Sequence, residues 1–164
     1  MKYGLILLLL CAHVQASTIA VIDSGVDVEH KDLLAKLWLN PSEIAENGRD
    51  EDGNGYQDDV YGWNFAENNN LVIDRKYLGT FSADPYLFFE IQGKMFLGTA
   101  TDAEKQWVSD KRSDADFIKE MGIFGNFVHG THVAGITADG NSGAKILSVK
   151  LIPTEVKPFV TDMI

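Results

Sequence analysis

The sequence has little cysteine and few basic residues. The first shortage excludes a structural feature, and the second argues against two classes of partner. Its 164 residues include one cysteine, Cys11, so no disulfide can form within the chain. Lys and Arg number 14 against 24 Asp and Glu, which gives a formal net charge of −10. Nucleic acids and anionic membranes are bound through basic patches, so we expect neither as a partner. The 45% apolar content still allows one modest domain with a hydrophobic core.

Long apolar runs are also scarce, and the clearest one lies at the N-terminus. Lys2 is followed by an almost wholly apolar stretch, residues 4–12, and Ala16 closes a Val-Gln-Ala triplet. This pattern is typical of a secretory signal peptide, and the stretch is too short for a membrane span. We therefore predict a signal peptide over residues 1–16 and a mature domain over residues 17–164. The expected location is secreted or periplasmic, with no membrane contact after signal cleavage.

Two short apolar segments rich in β-branched residues predict strands of a parallel sheet. Thr18–Ile22 precedes the turn sequence Asp-Ser-Gly, and Ile146–Leu151 follows a helix predicted from His129 to Gly140. Strand, helix, strand is the order of a βαβ unit. The sequence therefore predicts an α/β fold.

The remaining segments give weaker signals. Apolar spacing predicts a helix over His30–Leu39, and Val60–Phe65 is typical of a strand. The aromatic-rich segment Tyr86–Phe96 is interpreted as strands around a glycine. Asp102–Met121 has the pattern of one amphipathic helix, with Thr101 as its N-cap.

Asp23 and His129 are candidate catalytic residues because of their positions. Asp23 ends the first predicted strand, where open α/β sheets bind ligands. His129 opens the predicted helix, where the helix dipole disfavours a cationic imidazole unless an anion pairs with it. A buried Asp23 carboxylate would be that anion, fixing the imidazole tautomer as in a Ser-His-Asp triad. The alternative for Asp23 is a capping role in a turn.

His132 opens a second chemical interpretation. It lies three residues after His129, so the two imidazoles can share a helix face and bind a metal with Asp23 as third ligand. Zinc-binding helices usually space their histidines at i and i+4, which favours a packing role for His132 instead. A metal-dependent hydrolase using Asp23, His129 and His132 remains an alternative.

Two strings together resemble a known family. The string Val-Ile-Asp-Ser-Gly-Val-Asp around Asp23, and the string His-Gly-Thr-His-Val-Ala-Gly from His129, resemble the first two active-site motifs of the subtilisin-like serine proteases, the subtilases. Their order along the chain is that of the family. The resemblance implies that Asp23 is the triad Asp, that His129 is the general base and that His132 is not the base. It also implies an incomplete doubly wound parallel sheet of the subtilisin type, and a protein or peptide substrate.

A loop dense in Asp, Asn and Gly follows the Asp motif and predicts a calcium site. Its oxygen-bearing side chains alternate with glycines in the spacing of an EF-hand-type loop, with one backbone carbonyl as a further ligand. The bidentate Glu that ends an EF-hand loop is replaced here by Tyr61. A similar stretch is familiar between the Asp and His motifs of secreted subtilases, and a solvated acidic loop is the alternative. The predicted ligands are Asp50, Asp52, Asn54, Tyr56 and Asp58.

The sequence departs from the family pattern in two ways that affect activity. None of its eight serines stands in the Gly-Thr-Ser-x-Ala context that presents the family's nucleophile, and without a nucleophile the Asp and His have nothing to activate. Residues 74–124 also occupy a place where relatives have a much shorter link, so we expect an inserted segment. The resulting hypotheses are a partial serine endopeptidase that is inactive alone, a secreted calcium-binding pseudoprotease that acts as a binding module, and the metal-dependent hydrolase.

Overall fold

The computed structural model describes residues 17–155, so the predicted signal peptide lies outside the described residues. Three parallel strands form one sheet: β1 (Ser17–Asp23), β2 (Gly62–Asn64) and β3 (Ala144–Lys150). The strand order is β1-β3-β2, and each strand overlaps a segment that the sequence predicts as a strand. The α/β class is therefore confirmed.

The register of the sheet brings three polar residues to one edge. Asp23 at the end of β1 and Asn64 at the end of β2 both align with Lys150 at the end of β3. Because all three strands are parallel, their carboxyl ends lie together at this edge, where α/β sheets place their ligands.

Three α-helices and two 3-10 turns complete the described fold. The helices are α1 (Asp84–Phe96), α2 (Asp102–Lys111) and α3 (Ala115–Ala138), and the 3-10 turns are Leu34–Lys36 and Arg75–Tyr77. Among residues 17–155, no helix has both the length and the apolar content needed to cross a bilayer.

The structure corrects several of the helices and strands predicted from the sequence. The segment predicted as strands, Tyr86–Phe96, is helical, because its buried side chains recur at helical spacing and Pro85 lies in the first turn. The helix predicted over His30–Leu39 is also wrong. One 3-10 turn forms there, after which Leu37 becomes extended and pairs with Ile146 of β3.

The predicted helix Asp102–Met121 is in fact two helices. Thr101 caps α2 as predicted, in a capping box with Glu104. The chain then breaks at Asp114, whose carboxylate accepts the first free N–H groups of α3 at Asp116 and Phe117. A strong new N-cap therefore divides a continuous amphipathic pattern.

The described residues have two hydrophobic cores. The first lies between α3 and the sheet, where Val21 and Ile146 pack against Ala134, together with Leu33 and Leu37. The second lies among the three helices and is made by side chains from all of them: Phe88, Ile91, Val108 and Phe117, with Trp107 and Met121 at its margin.

The helix α3 packs on one face of the sheet, whereas Ile22 on the other face is 62% exposed. Within the part of the chain that the structure describes, this face has no covering helix. The doubly wound arrangement therefore stays a prediction.

Candidate active site

Asp23 ends β1 with its side chain buried at the edge of the sheet. Its residue surface is 8% exposed, and the backbone N–H of Ser24 donates to its Oδ1 at 2.7 Å. Two further N–H groups, from Leu151 and Ile152, donate to its backbone carbonyl at 2.8 and 3.2 Å. These bonds fix the carboxylate at one position on the rim.

His129 meets this carboxylate directly. Its Nδ1 lies 2.7 Å from Oδ1 of Asp23, although the two residues are 106 positions apart. When Nδ1 carries the proton it donates to the carboxylate, which leaves Nε2 free to accept one. The His129 side chain is 63% exposed, so a reacting group can approach the ring from solvent.

The environment of Asp23 favours its ionised form. Burial by itself raises the pKa of the Asp23 carboxyl, but the N–H of Ser24 and the imidazole of His129 outweigh that effect. The net result is a pKa below the ordinary value of a free Asp. An anion is therefore available at neutral pH to stabilise the imidazolium of His129.

Close backbone contact holds the helix of His129 against the strand of Asp23. The N–H of Gly130 donates to Ser24 Oγ at 3.2 Å, and the N–H of Asp27 donates to Thr131 Oγ1 at 2.9 Å. A Cβ on Gly130 would lie 2.2 Å from the carbonyl oxygen of Gly25. Glycine at position 130 therefore allows the two backbones to approach this closely.

The predicted start of the helix at His129 is wrong. His129 lies inside the helix, about four turns after its start at 3.6 residues per turn, and not at its N-terminus. The free N–H groups of a helix end therefore do not surround it, and the pairing with Asp23 does not depend on the dipole.

The predicted calcium loop folds as a tight turn stabilised by its own side chains. The carboxylate of Asp50 accepts the N–H groups of Asn54 and Gly55 at 3.1 and 2.8 Å. Both oxygens of Asp58 accept backbone N–H groups from the turn at residues 47–48, at 3.0 and 3.1 Å. These two predicted ligands are therefore engaged with backbone donors.

A cluster of three carboxylates, called here the carboxylate cluster, forms beside this loop from Glu43, Asp52 and Asp59. One oxygen from each lies within 4.8 Å of the other two. The amide of Asn40 donates to Asp52 at 3.0 Å and to Asp59 at 2.7 Å, and Asn54 donates to the same two carboxylates. The contact with Asn40 lowers the pKa of Asp52. Such a set of oxygens suits a hard cation.

The carboxylate cluster overlaps the predicted ligand set only in part. Asp52 belongs to it and Asn54 contacts it, whereas Tyr56 packs its ring on Trp63 and Phe65 at 5.1 and 5.5 Å. Glu43 was missed because it precedes the loop and shares no local spacing with it. The pairing of Glu43 with Asp52 arises only when the chain folds back.

A comparison with known protein families now bears on the Asp23–His129 pair. The family model described as "Subtilase family" matches residues 15–164, which is most of the chain. The chain belongs to the subtilase family. The resemblance inferred from the two motifs is therefore confirmed.

Curated relatives that resemble this subtilase chain include proteins named as subtilisin-like proteases from Plasmodium species. It is 44% identical over 68 residues to "Subtilisin-like protease 1" of Plasmodium falciparum (isolate 3D7), which covers 41% of this chain and 10% of that protein. The protein of the same name from Plasmodium vivax is also 44% identical over 68 residues, covering 41% and 11%. The one from Plasmodium berghei (strain Anka) is 43% identical over 56 residues, covering 34% and 9%. The matched part of the chain spans about a tenth of each relative.

His132 lies apart from the Asp23–His129 pair of this subtilase chain. It is exposed and borders a cavity of about 960 Å³ between α3 and the segment around Leu33, and that cavity touches neither Asp23 nor His129. Among residues 17–155, the carboxylate cluster alone gathers three carboxylate, thiolate or imidazole ligands within 4.8 Å. Asp23, His129 and His132 thus do not form a three-ligand group.

Proposed function

We propose that this chain supplies the Asp and the His of the Asp-His-Ser triad of a subtilisin-like serine endopeptidase. The observation that supports this role is the 2.7 Å contact between Asp23 Oδ1 and His129 Nδ1 at the carboxyl edge of the sheet. Membership of the subtilase family gives the pair its reaction class, which is hydrolysis of peptide bonds in a protein or peptide substrate.

In this mechanism, each side chain acts at a stated atom. His129 Nε2 accepts the proton of a serine hydroxyl as that oxygen attacks the substrate carbonyl, and later returns the proton to the leaving amine. Asp23 holds Nδ1–H toward itself and stabilises the imidazolium that forms between these two steps. Its lowered pKa keeps it ionised throughout.

The proposed mechanism also needs a serine nucleophile. Its eight serines stand outside the family's nucleophile context, and among residues 17–155 no serine hydroxyl is hydrogen-bonded to His129. In subtilisin, removal of the nucleophile alone lowers kcat by about six powers of ten. We therefore expect the chain by itself to hydrolyse no peptide, and a Ser-bearing segment to complete the site.

A fluorogenic peptide assay tests this expectation. The purified chain should give the rate of a buffer blank, and a fluorophosphonate probe, which labels only an activated serine, should leave it unlabelled. His129→Ala is the matched control, since a contaminating protease is indifferent to it. Turnover that survives repurification and disappears in His129→Ala would show that the chain carries its own nucleophile.

We also propose that the carboxylate cluster binds calcium. The three carboxylates offer oxygen ligands of the kind that Ca²⁺ prefers, and a cation would relieve the repulsion among them. Glu43 already accepts the backbone N–H groups of Glu51, Asp52 and Asp58, and calcium would strengthen its attachment to the loop that precedes β2. The formal net charge of −10 is consistent with cation binding.

Calorimetric titration with calcium checks the site. Glu43→Gln should weaken calcium binding at least about tenfold, because it removes one of three charged ligands. Glu46→Gln is the control, since Glu46 has the same charge and lies three residues after Glu43, outside the carboxylate cluster. Equal affinities in the two variants would place the calcium elsewhere or exclude it.

A second candidate function is a secreted pseudoprotease that binds a partner and cuts nothing. The observation that favours it is the absence of a nucleophile motif from the 164 residues. Adding a purified Ser-bearing subtilase segment separates the two proposals, since a split protease should gain peptidase activity that His129→Ala abolishes. A pseudoprotease should remain inactive in the same mixture.

A further inference from the structure

A lysine lies buried at the edge of the sheet beside the proposed catalytic pair. Lys150 ends β3, the central strand, and its register partners are Asp23 in β1 and Asn64 in β2. Its surface is 0% exposed, which is rare for a lysine. Because burial of a charge is costly, the ammonium needs compensating contacts.

The ammonium of Lys150 has a full set of acceptors. It donates to the backbone carbonyls of Ser24 at 2.9 Å and Ile152 at 3.0 Å, and to Thr154 Oγ1 at 3.2 Å. The carboxylate of Asp74 lies 3.8 Å away and supplies the opposite charge. Burial lowers the pKa of Lys150, and the Asp74 charge opposes that shift.

Through Ser24, these contacts reach the Asp–His pair. The carbonyl of Ser24 accepts from Lys150, its N–H donates to Asp23 Oδ1, and its Oγ accepts the N–H of Gly130 beside His129. All three polar groups of Ser24 are thus used. The ammonium fixes the carbonyl of Ser24, and Ser24 orients the carboxylate through its own N–H and the helix that carries the imidazole through its Oγ.

The backbone conformation of Gly25, which follows Ser24, is stabilised by its contacts with other parts of the chain. Gly25 has φ of 112°, and its backbone is close to the lysine, since a Cβ there would lie 3.3 Å from Lys150 Cδ. A glycine in this conformation has little intrinsic preference for one geometry. The lysine therefore supplies a constraint that the local sequence does not.

We propose that Lys150 is a positioning residue, whose ammonium sets the hydrogen bond between Asp23 and His129 by holding the Ser24 carbonyl. The inference rests on the proposed function, because positioning matters only if the pair is catalytic. Lys150 acts through Ser24 and touches neither the imidazole nor a substrate. The competing interpretation is a purely structural lysine that stabilises the fold without affecting the pair.

Proton NMR of the full chain distinguishes these interpretations. The Nδ1 proton in a short hydrogen bond to a carboxylate resonates at unusually low field, so its shift reports the geometry of the pair. The unmutated chain should show this resonance, and Asp23→Ala should abolish it. Lys150→Met, which keeps the length but removes the donors, should move it upfield or broaden it beyond detection. Lys145→Met is the matched control, because Lys145 lies on the same strand and donates to Ala35 instead.

Folding of each variant is measured separately, by circular dichroism and thermal melting. If Lys150→Met does not fold, the double variant Lys150→Met/Asp74→Asn is compared with the unmutated chain in its place. The second substitution removes the Asp74 charge that the first leaves without a partner. A folded variant with the resonance unchanged overturns the inference and leaves the proposed function intact. If neither variant folds, Lys150 has a structural role, and the inference is also overturned. A resonance absent from the unmutated chain overturns the proposed function together with this inference.

Discussion

Gly130 and Gly25 meet backbone to backbone where α3 crosses the end of β1. A Cβ on Gly130 would lie 2.2 Å from the Gly25 carbonyl oxygen, which no rotamer can relieve because both atoms are fixed by the backbone. Gly130→Ala must therefore push the helix of His129 away from Asp23. We expect a loss of about 1–3 kcal/mol in the free energy of unfolding, as for overpacked cores, measured by urea denaturation.

Gly122 provides the control on the same helix. A Cβ there meets no atom within 4 Å, so Gly122→Ala should gain helix propensity and raise stability by up to about 1 kcal/mol. Equal effects of the two substitutions would mean that the contact between Gly130 and Gly25 does not form.

Asp23 makes the stability of the chain depend on pH in a defined direction. Its pKa is lower in the folded chain than the ordinary 3.8, so the folded state favours the carboxylate. The resulting stabilisation is fully present above about pH 5, falls as the pH drops through 3.8, and is lost below the folded pKa. Urea denaturation of the chain and of Asp23→Asn across pH 2–6 measures it.

The unmutated chain and Asp23→Asn should differ in how their stability depends on pH. The stability difference between the two proteins should be constant at the upper end of this range and shrink toward pH 2. A difference that stays constant across the whole range would mean that the Asp23 carboxyl titrates as it does in the unfolded chain.

At the scale of elements, the sequence predicted the sheet better than the helices. β1 and β3 were found because an apolar run rich in β-branched residues bounded by turn residues has few alternatives. Apart from the helix predicted over His30–Leu39, the failures lie in residues 84–138, where aromatic and apolar residues suit either a helix or a strand. The choice is made by tertiary contact, since Phe88 and Phe117 are buried only when the helices pack on one another.

The Asp23–His129 pair and the carboxylate cluster differ in how far the sequence reveals them. Asp23 and His129 were found because each lies in a dense local motif. Glu43 and Asp59 join Asp52 only through folding, and hydrogen bonds from Asn40 help to arrange two of these carboxylates. Lys150 could have been identified from the sequence, because a charged residue within an apolar strand is costly to bury unless it has a defined partner.

At the scale of the whole molecule, the uncovered sheet face has consequences for solution behaviour. Parallel sheets are usually covered on both faces, yet Ile22 of β1 is 62% exposed. Within residues 17–155, β1 also pairs with β3 alone, which leaves its other edge free. Exposed apolar faces and free strand edges promote association, so we expect the isolated chain to aggregate.

Ile22→Thr tests whether this face drives the association. Threonine keeps the β-branched shape that suits a strand while lowering the apolar area, so the fold should persist and aggregation should fall several-fold, roughly in proportion to the lost patch. Sedimentation velocity at matched concentrations measures the monomer fraction. Ile44→Thr is the matched control, since Ile44 is 63% exposed but lies outside the strands and helices. A fully monomeric unmutated chain with a sharp, reversible melt would show that the sheet needs no further cover. Equal gains from both substitutions would mean that exposed apolar area in general, and not the face of β1, controls association.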